Sequence, residues 1–202
     1  MQKLIGRLFV LSAPTGAGKT TIAKAVLAKI GAQLPISKVI TYTTRPPRPQ
    51  EINGKDYHFV AINDFLSQKN AGFFLETTVY DKHWYGSPKS ILSELSTGKS
   101  FLIVTDLPGA HTIKAKAPET ILIWLDVPNK KTLIERLTNR GGTDQQALQQ
   151  RIDLAQQEMA QEKKDRFFAH HVMNETIDDA AHTVTNIIYD AIHPDKKRTT
   201  QQ

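Results

Sequence analysis

The sequence predicts an α/β fold: a parallel sheet flanked by helices, carrying a small mixed-sheet lobe and a helical lid. Three observations predict it. Short apolar runs alternate with stretches of helical spacing, a Pro/Gly turn separates the first apolar run from the first helix, and a β-rich middle interrupts that alternation before it resumes.

The first run, Leu8-Phe9-Val10-Leu11, reads as a strand, and Ile22, Ala23, Val26, Leu27 and Ile30 give helical spacing over residues 20–30, ending at Gly31. Val39-Ile40-Thr41-Tyr42 suits a strand. Arg45-Pro46-Pro47-Arg48-Pro49 must be extended, because each proline pushes its predecessor out of the helical region. Residues 57–60 and 73–80 are β-rich and are separated by an amphipathic stretch at 64–69, so residues 37–87 form the mixed-sheet lobe. The βα rhythm then returns. A helix over 88–97 stops at Gly98, a strand runs from Phe101 to Asp106, a helix follows Gly109, and Ile121-Leu122-Ile123-Trp124-Leu125 is another strand. Helices over 130–139 and 145–164 flank Gly141-Gly142, Val172-Met173 is the last strand, and 178–191 is the last helix. The expected division is one domain: a core of 1–36, 88–127 and 158–193, the lobe at 37–87, a lid at 128–157 and a basic tail at 194–202. Paired glycines beside arginine make residues 140–143 the expected hinge.

The 202 residues suit one domain, and 40% hydrophobic with 23% charged residues is ordinary globular usage. No apolar run approaches the ~18–20 residues that cross a bilayer, so no membrane partner is expected. The absence of cysteine excludes disulfides and thiolate chemistry and suits a reducing cytoplasm, the expected location. A net charge of +6 implies an anionic partner. Part of it lies in the terminal run Lys196-Lys197-Arg198, read as solvated, so no nucleic acid is expected. Arg45, Arg48, Arg136, Arg140 and Arg151 fall beside turns and helix ends, where they suit phosphate. His170-His171 lacks a metal-ligand partner at useful spacing, and Trp84 and Trp124 read as packing residues.

Ser12-Ala13-Pro14-Thr15-Gly16-Ala17-Gly18-Lys19-Thr20 joins a strand to a helix with the small-x-x-x-x-Gly-Lys-Thr spacing of a phosphate-binding loop, which makes the sheet of P-loop NTPase type. Backbone N–H groups at a helix N-terminus surround a phosphate chain there, Lys19 reaches the β- and γ-phosphates, and the Thr20 hydroxyl binds Mg²⁺. Ala13 stands at the usual first glycine, which is tolerable if its φ is ordinary. Asp106 ends an apolar run at the carboxyl edge of the sheet; it either holds a metal-bound water or ligand group, or caps the next helix. Taken singly, Arg45-Pro46-Pro47-Arg48-Pro49 also fits a polyproline partner loop, Glu76 an edge-strand surface residue, Arg151 an exposed helix residue, and Asn174 a helix cap.

Thr41-Tyr42-Thr43-Thr44-Arg45-Pro46-Pro47-Arg48-Pro49, together with the phosphate loop, Glu51-Ile52-Asn53-Gly54-Lys55-Asp56-Tyr57-His58-Phe59, Phe74-Leu75-Glu76 and Trp84-Tyr85-Gly86-Ser87, strongly resembles the guanylate kinases. The resemblance continues through Arg136-Leu137-Thr138-Asn139-Arg140-Gly141, Arg151 and Asn174, nearly the whole chain. It implies transfer of the γ-phosphoryl group of ATP, with Mg²⁺, to GMP and dGMP, giving ADP and GDP in purine nucleotide metabolism. It implies ATP contacts at Ala13, Pro14, Thr15, Gly16, Ala17, Gly18, Lys19, Thr20, Thr21, Arg136, Arg140 and Asn174. For GMP it implies phosphate contacts at Arg45, Arg48, Tyr57 and Tyr85, and base contacts at Thr41, Glu76 and Ser87, with Gly86 and Asp106 alongside. Catalytic roles fall on Lys19, Arg45, Arg140 and Arg151, and Mg²⁺ on Thr20, with Asp106 acting through water. Departures from the family pattern fall at Thr41, Tyr42, Gln50, 77–83, Val104, Leu107-Pro108 and Ala169. The alternatives are a non-catalytic binding module of this type, which would have no need of Gly18 and Lys19, and a related kinase with another phosphorylated acceptor.

Overall fold

The computed structural model describes residues 6–138 and 145–194. The expected hinge at 140–143, including Arg140, and the basic tail from 195 onward lie outside the described residues.

β1 (Leu8–Ser12) is buried at every position and leads through the phosphate loop into α1 (Lys19–Ile30), which buries Ile22, Ala23, Val26 and Ile30. β2 (Ile36–Lys38) follows and belongs to the same large sheet. The lobe comprises β3 (Tyr42–Thr43), β4 (His58–Phe59), α2 (Ile62–Asn70), β5 (Phe74–Tyr80) and β6 (His83–Pro88). Then come α3 (Ile91–Leu95), β7 (Ser100–Val104), α4 (Leu107–Lys116), β8 (Ile121–Asp126), α5 (Lys130–Thr138), α6 (Gln145–Asp165), β9 (His170–Met173) and α7 (Ile177–Ile192).

Among the described residues the large sheet has order β2-β7-β1-β8-β9, with every pairing parallel. β1 therefore lies between β7 and β8, and its alternating side chains feed two cores. Phe9 and Leu11 join Ile22, Val26, Leu133, Ile152, Val184 and Ile188 on one face. Leu8 and Val10 join Ile103, Ile113 and Trp124 on the other. Trp124, 1% exposed, is the packing residue the sequence suggests; its indole N–H donates to Asp126 Oδ1 at 3.0 Å. His171, in contrast, is well partnered: its ring nitrogens lie 3.0 Å from Asp126 Oδ2 and 3.0 Å from Glu162 Oε1.

The smaller sheet has order β4-β3-β6-β5, with β3 parallel to β4 and antiparallel to β6, and β6 antiparallel to β5. Its core is aromatic: Phe65 of α2, 0% exposed, stacks on Phe74 at 4.5 Å and lies 5.8 Å from Trp84.

Several expected boundaries shift for identifiable reasons. The run 39–42 divides between two sheets: Val39 N–H donates to Leu102 of the large sheet, whereas the carbonyl of Thr41 accepts from His58 of the small one. β2 thus straddles the boundary expected between residues 36 and 37. β6 was not foreseen, since Gly86 and Pro88 dilute its β character. Pro88 also belongs to that strand, and Lys89 N–H donates to Phe73 O, so α3 begins later than residue 88. The strand expected to reach Asp106 stops at Val104, and α4 starts before Gly109, at Leu107, with Pro108 in its first turn.

Replacing Phe65 by Ala removes the ring on which the lobe is packed. It is expected to destabilise the protein by about 3–5 kcal/mol, measured by urea unfolding.

Candidate functional site

β1 cannot continue past Ser12 without leaving the sheet. The chain turns through a loop in which Gly16 and Gly18 adopt φ of +84° and +92°. At Gly16 the lack of a side chain is doubly required, because a Cβ would lie 2.6 Å from the Leu137 side chain. The positive φ values of the loop fall on these glycines and not on Ala13, which is why alanine is accepted there. Gly18 caps α1 without a side-chain bond, and the first turn carries no acidic residue, so the helix N-terminus offers its N–H groups to an anion. Lys19 Nζ lies across the loop, donating to Ala13 O at 2.7 Å and Pro14 O at 3.3 Å.

Asn174 supports this loop. Its Nδ2 donates to Ala17 O at 2.6 Å, and its backbone carbonyl accepts from Arg136 Nη2 at 2.9 Å. The helix-cap reading of Asn174 fails, since Thr176 caps α7 by accepting from Asp179 N–H. Asn174 thus holds the loop at Ala17 and is itself held by Arg136, and neither residue lines the cleft.

The cleft runs from the loop into the lobe. Arg45, Arg48, Tyr57 and Tyr85 all line it. Arg45 Nη2 donates to both oxygens of Glu51, at 2.9 and 2.8 Å, and Glu51 Oε2 also accepts from Arg48 N–H at 2.7 Å. Burial works to raise the Glu51 carboxyl, but these donors outweigh it and hold the group below the usual carboxylate range. Arg45 is shifted the other way, upward: burial opposes the charge, and Glu51 and Tyr85 overcome it. Burial pushes the Tyr57 hydroxyl up, which keeps it a neutral donor at physiological pH. Gln50, where the family carries glycine, retains a left-handed backbone at φ +71°.

At the far end lies Glu76. It sits on β5, an edge strand of the small sheet, yet is 2% exposed, so the surface reading of this residue is wrong. Oε1 accepts from Ser87 N–H at 3.1 Å and from Ser87 Oγ–H at 2.8 Å. Oε2 is buried with no hydrogen-bond partner among the described residues. Burial pushes this carboxyl up to about 7; the Ser87 bonds pull against the shift and Asp106 adds to it. Thr41, 6% exposed, and Thr78 line the same cleft.

Asp106 is a helix cap that also lines the cleft. Its Oδ1 caps α4 by accepting from Gly109 N–H at 2.9 Å, and the residue also lines the cleft opposite Lys19 and Thr20. Among the described residues no group of three or more His, Cys, Asp or Glu could hold a metal alone. A hydroxyl and a carboxylate in a phosphate-binding cleft instead suit a water-rich, phosphate-shared Mg²⁺.

The structure thus gathers Thr15, Gly16, Gly18, Lys19, Thr20 and Thr21 with Thr41, Arg45, Arg48, Tyr57, Glu76, Tyr85 and Asp106 along one cleft. Ala13, Pro14 and Ala17 complete the loop, and Gly86 and Ser87 stand behind the cleft wall on β6. Arg151 is not brought in: it pairs with Asp81 at 2.6 Å.

Thr78, Tyr80, Val104, Thr105 and Glu158 line the cleft without having been read as site residues from the sequence, and two of them grip the loop. Glu158 Oε2 accepts from Thr15 N–H at 2.9 Å, and the Tyr80 hydroxyl lies 2.6 Å from Thr15 Oγ1. Burial raises the Glu158 carboxyl, opposed by Lys19 and by the Thr15 N–H. A usable signal for Glu158 was present in the sequence, because it falls on the face of α6 that buries Ile152, Ala155 and Glu162.

Comparison with known proteins agrees with this geometry. A family model described as guanylate kinase matches residues 5–191. A guanylate kinase of Lactobacillus acidophilus is 37% identical over 96% of this chain and 92% of its own length. One from Coxiella burnetii is 38% identical over 90% and 85%. Among solved structures, guanylate kinase from Anaplasma phagocytophilum aligns with a TM-score of 0.77 at 26% identity, covering 95% of this chain and 88% of that one.

Glu76 sets a stability test. Its pKa is raised from 4.5 in the reference state to about 7 in the fold, so the folded chain binds the extra proton between those values. Its contribution is fully present below pH 4.5 and is lost as pH rises through 7, by about 3 kcal/mol in all at ~1.4 kcal/mol per unit. The wild type is expected to lose stability relative to Glu76→Gln between pH 5 and pH 8, measured by urea unfolding across that range.

Proposed function

Because this chain belongs to the guanylate kinase family and is an ATP:GMP phosphotransferase, we propose that its cleft holds ATP at the phosphate loop and GMP, or dGMP, between Arg45 and Glu76. The observation that carries the site reading is Glu76 Oε2, a buried acceptor with no partner among the described residues, in the same cleft as the phosphate loop.

Guanine presents N1–H and an exocyclic amine side by side, a donor pair that adenine lacks, and an ionised Glu76 accepts from it. Ser87 fixes the carboxylate by occupying Oε1, which leaves Oε2 for the base. Thr41 adds a hydroxyl at the same pocket. At the other end of the nucleotide, the planar forks of Arg45 and Arg48 match phosphate oxygens bidentately, and the neutral hydroxyls of Tyr57 and Tyr85 donate.

Phosphoryl transfer needs positioning and compensation of charge on the γ-phosphoryl oxygens more than it needs a protein base. Lys19 swings from the loop carbonyls onto the β- and γ-phosphates, and the N–H groups opening α1 hold the chain in line. Mg²⁺, when bound to the ATP phosphates, neutralises developing charge; Thr20 would hold it directly and Asp106 through water. Arg136, Arg140 and Arg151 are proposed as lid arginines, with Arg151 exchanging Asp81 for phosphate on closure. Asn174 is proposed to face the adenine side of the loop. Closure over 128–157 excludes the water that would hydrolyse ATP.

No helix among the described residues is long and apolar enough to cross a membrane. The cysteine-free chain suits the reducing cytoplasm, which we propose as its compartment.

ADP release measured across GMP, AMP, UMP and dTMP tests the acceptor, and a wide preference for AMP would overturn the assignment. Lys19→Met is expected to lower kcat by about 10²–10³-fold with the fold retained. Glu76→Gln puts an amide donor against the guanine donors and is expected to lower kcat/KM for GMP relative to AMP by at least about 10²-fold. With wild type, KM for GMP is expected to fall as pH rises through about 7, where Glu76 ionises, and Glu76→Gln should remove that part of the pH profile.

A further inference from the structure

β5 carries Glu76, Thr78 and Tyr80 at alternate positions, and all three line the cleft. Alternate residues of a strand share a face, so one face of β5 runs from the base pocket toward the phosphate loop. Four residues of strand span about 13 Å, and extended backbone paired in a sheet has a nearly fixed length. The far end of that face is tied to the loop: the Tyr80 hydroxyl lies 2.6 Å from Thr15 Oγ1. Thr15 is gripped from the other side by Glu158 of α6, which accepts its N–H at 2.9 Å. The next residue of the hairpin, Asp81, reaches the same helix through Arg151 at 2.6 Å. Arg151 and Glu158 are seven residues apart, two helical turns, and so share a face of α6.

We propose that Tyr80 is a positioning residue for phosphoryl transfer: its hydroxyl docks the strand that bears Glu76 onto Thr15 of the phosphate loop, setting the separation between acceptor and donor. This rests on the reading of the cleft given above. Each substrate has its own contacts, ATP on the loop and GMP on the lobe, and neither requires Tyr80 to bind. Only the transition state spans both halves, so a loosened register appears in turnover and not in binding. The hydroxyl–hydroxyl bond joins this face of β5 to the Thr15 side chain, and phenylalanine removes it while preserving ring volume.

Tyr80→Phe is expected to lower kcat about tenfold, with KM for ATP and for GMP each within about twofold of wild type, since misplacement by an ångström costs up to about 10²-fold. The thermal midpoint should be unchanged. In a Thr15→Val background, Tyr80→Phe should cause no further loss, because the bond is already gone. Wild-type kcat in Tyr80→Phe overturns the inference, as does a rise in KM for GMP that accounts for the whole loss, or multiplicative effects in the double variant. Lys19→Met and Glu76→Gln are assayed alongside. If both retain wild-type turnover and base preference, the cleft assignment itself fails; if both are impaired while Tyr80→Phe is not, only the role of Tyr80 fails.

Discussion

The constraint on which the rest of the structure depends is the burial of β1. Its five residues are enclosed on both faces and hydrogen-bonded in parallel on both edges, by β7 and β8. A central parallel strand has nowhere to go at its carboxyl end except out over the sheet edge, and in open α/β sheets that edge is where ligands sit. The turn is sharp enough to demand left-handed backbone at Gly16 and Gly18. Lys19, the opening N–H groups of α1 and Thr15 then take their places as consequences of that exit, and Asn174 and Glu158 secure the loop from outside it.

The parallel core was legible because strands buried on both faces read as continuous apolar runs, as in Leu8-Phe9-Val10-Leu11 and Ile121-Leu122-Ile123-Trp124-Leu125. The phosphate loop was legible because its function fixes both composition and spacing. The lobe was harder. β3 and β4 are two-residue strands, too short for a period, and β6 holds a glycine and a proline. The fate of the run 39–42 depended on which sheet each backbone group found, a tertiary choice that no local pattern encodes. Glu158 meets Thr15 across 143 residues and Tyr80 meets it across 65, separations over which periodicity says nothing. Asp106 shows the opposite case: its capping reading holds, and a residue that caps a helix at the sheet edge also faces the cleft.

The cleft brings charges of both signs together. Its lining carries the cations Lys19, Arg45 and Arg48, and the carboxylates Glu76, Asp106 and Glu158. The burial of Glu76 is expensive: desolvation lifts its carboxyl to about 7, and the two Ser87 hydrogen bonds and the Lys116 charge offset this in part. A donor that reaches Oε2 favours the ionised form, so donor binding and proton release are coupled at one atom. Glu158 shows the same burial effect beside Lys19, tempered by a backbone donor.

The Arg45–Glu51 pair has a further consequence. The guanidinium that would grip the acceptor phosphate is already held by a carboxylate through two hydrogen bonds, and that carboxylate is also fixed by the Arg48 N–H. An arriving phosphate therefore meets a fork whose rotamer is ordered in advance, and it competes with a resident anion instead of filling a void. The net gain is the difference between two similar attractions. Such an exchange moderates the grip on acceptor and product alike, and a departing nucleotide leaves no bare cation behind, because Glu51 is in place to take it back. Exchange of anions at a standing fork suits an enzyme that must release its product as readily as it takes up its substrate.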